Sequence, residues 1–117
     1  MKIESIKFKA KRLDGKGWAI GDLLHSYENG AIIVPIEGGG AFSVDHSTVC
    51  QFTGLKDKNG TPIYEGDIVT YKDNNGEKRG DINWDSKAAA FCFGQDFLVY
   101  YLSEDMVVIG NKFEKKK

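Results

Sequence analysis

Apolar and polar side chains alternate with a period of two along much of this chain. In the segment IKFKAK, Ile6, Phe8 and Ala10 fall on one side and lysines fall on the other. The same period continues in AFSVDHSTVCQF, from Ala41 to Phe52. A period of two is typical of strands with one buried face, so the pattern predicts β-structure in both segments.

Turn signals separate these segments at short intervals. The 117 residues include 14 glycines and only two prolines, which favours many tight turns. Turns are predicted at Asp14-Gly15, Asn29-Gly30, Asp57–Gly60, Asn74–Gly76 and Asp85-Ser86, with a break at Gly94. The spacing predicts short antiparallel strands, and the last of them covers Met106–Ile109.

Helical patterns are scarce. The two candidates are AIGDLLHSY and GQDFLVYYLSED, and the second is rich in aromatic and β-branched residues, so strand is favoured for most of it. The segment EGDIVTYKDNNGEKRGDINWD resembles a small SH3-like barrel, with a glycine and an aspartate before each strand. We therefore predict a mainly β fold: a small antiparallel SH3-like barrel in the C-terminal half, an N-terminal β-hairpin region and little helix.

The length fits a single domain, residues 1–117. Gly38, Gly39 and Gly40 form either a mobile loop tip or a hinge between two lobes, 1–40 and 41–114. The lysine-rich residues 115–117 are predicted to be a disordered tail. A phosphate-binding role for the glycine run is disfavoured, because a strand pattern follows it where a helix would be needed.

Charge and cysteine content limit the possible partners and the possible cellular compartment of the protein. The formal net charge is −1, which argues against strong non-specific nucleic-acid binding but leaves room for a local basic patch. Cys50 and Cys92 are far apart and form no metal-ligand pattern, so reduced, half-buried thiols are favoured over a disulfide. The N-terminus shows no apolar signal region, and no segment is long enough to span a membrane. We expect a cytoplasmic protein.

The sequence motifs of known catalytic and metal-binding sites match this chain poorly. The glycines of TGLKDKNGT lack the spacing and the lysine of a phosphate-binding loop, and DKNG and DNNGE lack the ligands of a calcium loop. Asp67 is expected to cap a turn and Glu65 to be solvated, although the two could be imagined as an acid and a base. His25 and His46 have no nucleophilic partner in a recognisable arrangement. We predict no catalytic residue, metal or cofactor, and no enzymatic activity.

An aromatic and basic segment is the remaining functional signal. Five residues form a speculative nucleic-acid face: Lys72, Lys78, Arg79, Trp84 and Lys87. Exposed rings on a small β-barrel can stack on bases while lysines contact phosphates. The alternative, which we favour, is that most aromatic side chains of this region, including Phe91, Phe93, Tyr100 and Tyr101, form the core.

The segment QFTGLKDKNGTPIYEGDIV, from Gln51 to Val69, resembles the signature of the phage-encoded YopX family. The ending VVIGNKFE and the opening IKFKA are also similar to that family, while the match is weak between Leu13 and Asp45, and Cys50 stands where a glycine is expected. The signature positions are Thr53, Gly54, Leu55, Asp57, Gly60, Tyr64, Gly66 and Asp67. From their residue types, these positions are predicted to serve in turns and packing.

The resemblance implies a small self-associating protein from a phage or prophage, with no established activity and no catalytic residues. The first hypothesis is a non-enzymatic protein of the bacterial host cytoplasm that acts through protein–protein contacts, as a homo-oligomer and with an unknown protein partner, away from membranes. The alternative is a nucleic-acid-binding module on the SH3-like half. A small enzyme would need a pocket that collects Glu65, Asp67 or His46.

Overall fold

A computed structural model of the chain describes residues 2–26, 30–36 and 38–114. The chain divides into two compact units, Met1–Phe52 and Thr53–Lys117. The division therefore falls after the predicted lobe boundary at Gly38–Gly40. The physical reason is that the strand following the glycines, Phe42–Val44, pairs with the strand preceding them, so residues 41–52 belong to the first unit. The predicted tail, 115–117, lies outside the described residues.

Short antiparallel strands make up most of the described chain, so the predicted mainly β fold is confirmed. The strands are β1 (Phe8–Lys11), β2 (Trp18–Ser26), β3 (Gly30–Val34), β4 (Phe42–Val44), β5 (Cys50–Lys56), β6 (Pro62–Tyr64), β7 (Asp67–Asp73), β8 (Gly76–Asp85), β9 (Ala90–Phe93), β10 (Asp96–Phe97) and β11 (Met106–Asn111). Single turns of 3-10 helix cover Ile3–Ser5, His46–Thr48, Leu98–Tyr100 and Ser103–Asp105.

In the first unit the strand order is β4-β3-β2-β1-β5. The turn predicted at Asp14-Gly15 joins β1 to β2, which pair from Phe8 opposite Gly21 to Lys11 opposite Trp18. Strand β3 begins at Gly30, as the second turn signal predicts, while Asn29 lies outside the described residues. Each hairpin is antiparallel because its short connection leaves no room for a crossover.

Small side chains fill the core of the first unit. Its fully buried apolar residues are Ala10, Ala19, Ala31, Ile33 and Val44. Because three of these are alanines, neighbouring strands approach closely, and β4 reaches back to the end of β1 through a bridge from Val44 to Arg12. Gly21 in β2 belongs to the same crowded region, since an added Cβ would lie 2.1 Å from the carbonyl oxygen of Val34.

In the second unit, an antiparallel sheet has the strand order β10-β9-β8-β7-β11. Its core contains larger side chains than that of the first unit: Ile63, Val69, Ile82, Phe93, Leu98 and Met106. Strand β6 is hydrogen-bonded to β5. The predicted closure into a barrel does not occur in the described residues. Strand β10 has only two residues and passes into the 3-10 turn Leu98–Tyr100, so it stays at one edge and β11 stays at the other.

Three local predictions require correction. Of the helical candidate AIGDLLHSY, residues 19–26 lie in strand β2, and Tyr27 lies outside the described residues. In GQDFLVYYLSED, for which strand is favoured, only Asp96–Phe97 is a strand, and 3-10 turns follow. The strand pattern from Ala41 to Phe52 is interrupted at His46–Thr48, where the Asp45 carboxylate accepts a hydrogen bond from the Ser47 N–H at 3.0 Å. This cap competes locally with strand pairing.

We predict that Gly21→Ala lowers the free energy of unfolding by roughly 3 kcal/mol, because the new methyl group meets backbone atoms of Val34 and Pro35 that cannot move aside cheaply. Gly110→Ala is the matched control, since a Cβ there meets nothing within 4 Å and its φ is not positive. We expect the control to change stability by less than about 1 kcal/mol. Urea titration monitored by circular dichroism measures both, and equal effects would contradict the close approach at Gly21.

Candidate binding groove

An apolar groove of about 670 Å³ lies on the second unit. Three chain segments form its walls: the end of β5, the turn after β8 with the start of β9, and the segment that begins at Phe97. The lining residues are Thr53, Leu55, Ala88, Ala90, Phe91, Phe97, Leu98, Val99, Tyr101, Leu102 and Ser103. Most of these side chains are hydrocarbon, as is typical of sites that bind apolar groups.

Several groove residues are far more exposed than core residues of similar size. The exposed fractions are 82% for Val99, 58% for Leu102 and 39% for Phe97. Tyr100, which neighbours them in sequence, is 75% exposed and contacts the Phe97 ring at a centroid distance of 6.1 Å. A contiguous group of exposed apolar side chains is unusual on a monomeric protein and marks an interaction surface.

A polar cluster adjoins the groove at Tyr101. The Lys78 ammonium donates to the Asp96 carboxylate at 2.7 Å and to the Tyr101 hydroxyl at 3.0 Å, and that hydroxyl donates to Asp96. The hydrogen bond to Asp96 raises the pKa of Lys78 above its usual value, and the same contact lowers the pKa of Asp96. The three groups therefore satisfy one another as an ion pair with a bridging hydroxyl.

Aromatic packing holds this cluster in place. The Tyr101 ring stands edge-on to Tyr71 at 4.9 Å and to Phe93 at 5.0 Å. Lys78 lies over the rings of Phe93 and Tyr101, at 4.7 and 4.9 Å from their centroids. Phe93 is fully buried, so the cluster is anchored on the core, and it meets the groove at Tyr101.

The signature residue Asp57 is buried and accepts three backbone hydrogen bonds. One carboxylate oxygen accepts from the N–H groups of Asn59 and Thr61, and the other accepts from the N–H of Val108, each at 2.9 Å. Burial raises the pKa of Asp57, but the N–H donors of Val108, Thr61 and Asn59 outweigh it, so the pKa lies below its usual value. Asp57 thus closes the β5–β6 turn and ties it to β11.

Asp67 makes a second connection to the end of β11. Its carboxylate accepts from the Tyr64 N–H at 2.8 Å, as the turn-capping prediction requires, and from the Asn111 side-chain amide at 3.0 Å. The Asn111 oxygen in turn accepts from the Phe113 N–H. Gly66 has a φ of 89°, which an L side chain rarely adopts, and its carbonyl accepts from the Lys112 N–H.

The other signature residues also serve the turn and the packing around it. The Thr53 hydroxyl donates to the Ile63 carbonyl at 2.8 Å and accepts from the Leu55 N–H. Tyr64 is buried. Gly54 and Gly60 have φ angles of 87° and 81°. Thr53 and Leu55 also line the groove, so one signature segment both organises the second unit and contributes to its candidate binding surface.

The five residues of the predicted nucleic-acid face do not share a surface. Side chains alternate along β8, and Lys78 and Trp84 lie on the same side as the core residue Ile82. Arg79 lies on the opposite side, together with Lys72, whose cross-strand partner is Glu77. Lys87 belongs to the turn after β8. Lys78 is also engaged with Asp96.

Two further surface depressions carry both signs of charge. One is lined by Lys58, Lys72, Glu77 and Asp105 together with Thr70 and Val107. The other is lined by Arg79, Lys112, Asp81 and Glu114 together with Ile68, Gly80 and Asn111. Each pairs two cations with two carboxylates, so neither presents the excess of positive charge that phosphate binding requires.

Side chains with catalytic or metal-binding chemistry are dispersed. His25 and His46 are exposed. Cys50 and Cys92 are free and buried, and burial raises the pKa of the Cys92 thiol. Within the described residues, no group of three or more His, Cys, Asp or Glu side chains is placed to hold a metal ion. None of the helices in that part of the chain has the length and apolar content to cross a membrane.

The comparison with family models found the model described as YopX protein, which matches residues 8–117. The chain belongs to the YopX family. In this YopX chain, two of the three segments that carry the resemblance, Gln51–Val69 and Val107–Glu114, are joined by the hydrogen bonds of Asp57 and Asp67. No curated protein was found to match the chain.

The sequence-based predictions did not include the groove residues Phe97, Val99 and Leu102. The available signal was the run FLVYYL, from Phe97 to Leu102, which is too apolar for an exposed loop. A strand interpretation placed these side chains in a sheet. The 3-10 turn at Leu98–Tyr100 instead buries Leu98 and leaves its neighbours exposed.

We predict that Asp57→Asn lowers the free energy of unfolding by roughly 2 to 4 kcal/mol, because an amide replaces one acceptor oxygen with a donor and leaves a backbone N–H unpaired. Asp73→Asn is the matched control: this exposed carboxylate accepts one hydrogen bond, from the Asn75 N–H, which an asparagine can retain. The control should change stability by less than about 0.5 kcal/mol. Thermal and urea unfolding of both variants measure the difference, and a harmless Asp57→Asn would refute the proposed anchor.

The same carboxylate predicts a pH dependence. Because the pKa of Asp57 is lowered in the folded chain, its contribution to stability is present above the unfolded-state pKa, about 3.9, and is lost as pH falls through the folded value. The stability difference between the native chain and Asp57→Asn should therefore shrink as pH falls below about 4. Urea titrations of both proteins between neutral and acidic pH test this, and a constant difference would contradict it.

Proposed function

We propose that this YopX chain is a non-enzymatic protein that acts through protein–protein contacts and binds a second copy of itself through the apolar groove. The observation that carries the proposal is the exposure of Val99 and Leu102 beside a cavity of about 670 Å³. Burial of such side chains against a partner is favourable by about 25 cal/mol for each Å² of apolar surface removed from water.

Self-association is favoured because one surface carries both a depression and projecting side chains. Val99 and Tyr100 project from the 3-10 turn that also forms a wall of the groove. An interface between two identical copies around a twofold axis requires that kind of self-complementary patch. The projecting residues of one copy can then enter the groove of the other.

A binding role also agrees with the chemistry of the groove. Its walls are mainly apolar, and the hydroxyl of its lining residue Tyr101 is engaged with Lys78 and Asp96. A general acid or base needs a free proton-transferring group directed at a substrate. The groove therefore supports binding of an apolar surface better than catalysis.

The proposed setting is the cytoplasm of a bacterial host, in a protein encoded by a phage or prophage, as the family resemblance implies. Cys50 and Cys92 are free thiols in the structure, and free thiols fit a reducing compartment.

We do not retain a nucleic-acid role for the second unit, because Lys72 and Arg79 lie on a different face from Lys78 and Trp84.

We predict that the chain forms dimers or larger oligomers at about 100 μM and that Leu102→Glu shifts it to monomers, because a carboxylate in the interface would lose its hydration. Ile109→Glu is the matched control, since Ile109 is 48% exposed in the same unit but does not line the groove. The control should associate like the native chain. Size-exclusion chromatography with light scattering measures the mass of each protein.

Two outcomes would count against this proposal. A native chain that is monomeric at every concentration would refute self-association. Oligomers that persist in Leu102→Glu but dissociate in Ile109→Glu would move the interface to β11. Both substitutions replace side chains that are already half exposed, so we expect the fold to be retained. A thermal melt of each variant checks this.

A further inference from the structure

Strand β2 extends beyond the end of its neighbour β1. The two strands pair only over the first part of β2, and the last pair is Phe8 opposite Gly21. From Asp22 onward, β2 pairs with β3 on its other side. Residues 23–25 of β2 therefore have β3 on one side and, within the described residues, no paired strand on the other. We call this second side the open edge of β2.

The hydrogen-bond pattern shows which backbone groups face the open edge. The Arg12 N–H donates to the Gly17 carbonyl at 2.9 Å, in the same register as the β1–β2 pairs. Hydrogen-bonded pairs recur at every second residue of an antiparallel ladder, so the backbone groups of Gly21 also face β1. The N–H and carbonyl groups of Leu23 and His25 point the same way, toward the open edge.

The segment before β1 turns away from the open edge. Ile3–Ser5 forms a 3-10 turn, which is closed by a hydrogen bond from the Ile6 N–H to the Ile3 carbonyl at 3.0 Å. Among the backbone hydrogen bonds of the described residues, none joins this segment to Leu23 or His25. The outward N–H and carbonyl groups of these two residues are therefore available to an added strand.

Few interactions hold the 3-10 turn in place. The turn buries none of its side chains, and no side chain caps its first residue. Ile3 is 82% exposed and Ile6 is 42% exposed. Leu24, at the open edge, is 54% exposed. The segment and the edge thus each leave apolar side chains in water, although they lie next to each other in the β1–β2 register.

The segment matches the open edge when the β1–β2 register is continued. Ile6 then lies opposite Leu23, and Glu4 lies opposite His25. Both are positions at which the ladder places hydrogen-bonded pairs. Leu23 already packs against the core of the first unit, so Ile6 gains an apolar neighbour there. The alternation in IKFKAK also predicts a strand that includes Ile6, whereas β1 begins at Phe8.

We propose that residues 2–6 form a strap with two states. In the open state, which the structure shows, the segment is a 3-10 turn and the edge of β2 is free. In the closed state the segment is extended, so that Ile6 pairs with Leu23 and Glu4 pairs with His25. Closure exchanges the hydrogen bonds of the turn for those of two strand pairs and removes Ile6 from water, at the cost of conformational entropy. Because these contributions oppose one another, both states are populated.

The strap controls whether the open edge can pair with another chain. An exposed strand edge accepts strands from other molecules, and proteins commonly block it with lysines or prolines. Residues 23–25 contain neither residue type. The closed strap blocks the edge by using its N–H and carbonyl groups. This inference concerns the first unit and does not depend on the groove of the second unit.

A disulfide trap tests the closed register. Ser5 lies opposite Leu24 in that register, as a non-hydrogen-bonded pair with Cα atoms about 4.5 Å apart, which a disulfide can bridge. The matched control is Ser5→Cys/Ile20→Cys, because Ile20 lies on the same face of β2 and is similarly exposed, at 49%, but is about 13 Å from Leu24. Under mild oxidation we expect Ser5→Cys/Leu24→Cys to form its intrachain disulfide at least about 10-fold faster than the control.

Mass spectrometry after thiol labelling measures the loss of the introduced thiols, while the native Cys50 and Cys92 are buried and common to both variants. Equal rates in the two variants would refute the closed register, and so would the absence of a disulfide in Ser5→Cys/Leu24→Cys. A disulfide-linked dimer on a non-reducing gel would place the segment on a second copy and overturn the intrachain strap.

A proline substitution separates strand pairing from proximity. Glu4→Pro removes the N–H that the closed state donates to the His25 carbonyl, whereas the first turn of a helix tolerates proline. Glu4→Ala is the control, because it removes the side chain and retains the N–H. In Ser5→Cys/Leu24→Cys, we expect Glu4→Pro to slow disulfide formation roughly 5- to 10-fold and Glu4→Ala to change it less than about 3-fold. Equal effects of the two substitutions would contradict backbone pairing.

Amide hydrogen exchange, followed by NMR, reports the same pairing without a substitution at the edge. In the native chain, the Leu24 N–H faces β3 and should exchange at least about 10-fold more slowly than those of Leu23 and His25. Equal protection of Leu23 and Leu24 would overturn the open state. Oxidation of Ser5→Cys/Leu24→Cys should slow exchange at Leu23 and His25 at least about 10-fold relative to the reduced form. Unchanged exchange after oxidation would refute the closed state.

Discussion

Two buried carboxylates, Asp57 and Asp67, connect the middle of the chain to its end. Asp57 accepts hydrogen bonds from its own turn and from Val108, and Asp67 accepts from Tyr64 and Asn111. A buried carboxylate is tolerated only when donors satisfy it. The turn must therefore keep its shape and β11 must keep its register. This constraint holds β11 at the edge of the second sheet.

The cores of the two compact units are filled by side chains of different sizes. The first relies on alanines and on the close approach at Gly21, so its strands can curl until β4 meets the end of β1. The second relies on large side chains around Phe93, which support an open sheet and leave an apolar groove at its surface. The apolar groove on the second unit accompanies this use of large side chains.

Much of the β-structure was predictable because local rules govern it. The alternation in IKFKAK, the Asp14-Gly15 turn, the Asn74–Gly76 turn and the strand from Met106 all appear in the structure. The 3-10 turns that the segment GQDFLVYYLSED forms were not predictable. Strand propensity is an average over packed sheets, whereas here the single buried side chain Leu98 anchors the turn and exposes Val99 and Tyr100.

The sequence by itself determined the family, the mainly β class and the importance of Asp57 and Asp67 as turn residues, because these depend on local chemistry and on a long specific motif. Only the tertiary structure decided which side chains share a surface. Lys78 and Arg79 are adjacent in sequence but lie on opposite faces of β8, while Lys11 and Trp18 meet across a hairpin. Strand pairing and register make these choices, because a shift by one residue would move every side chain to the other face.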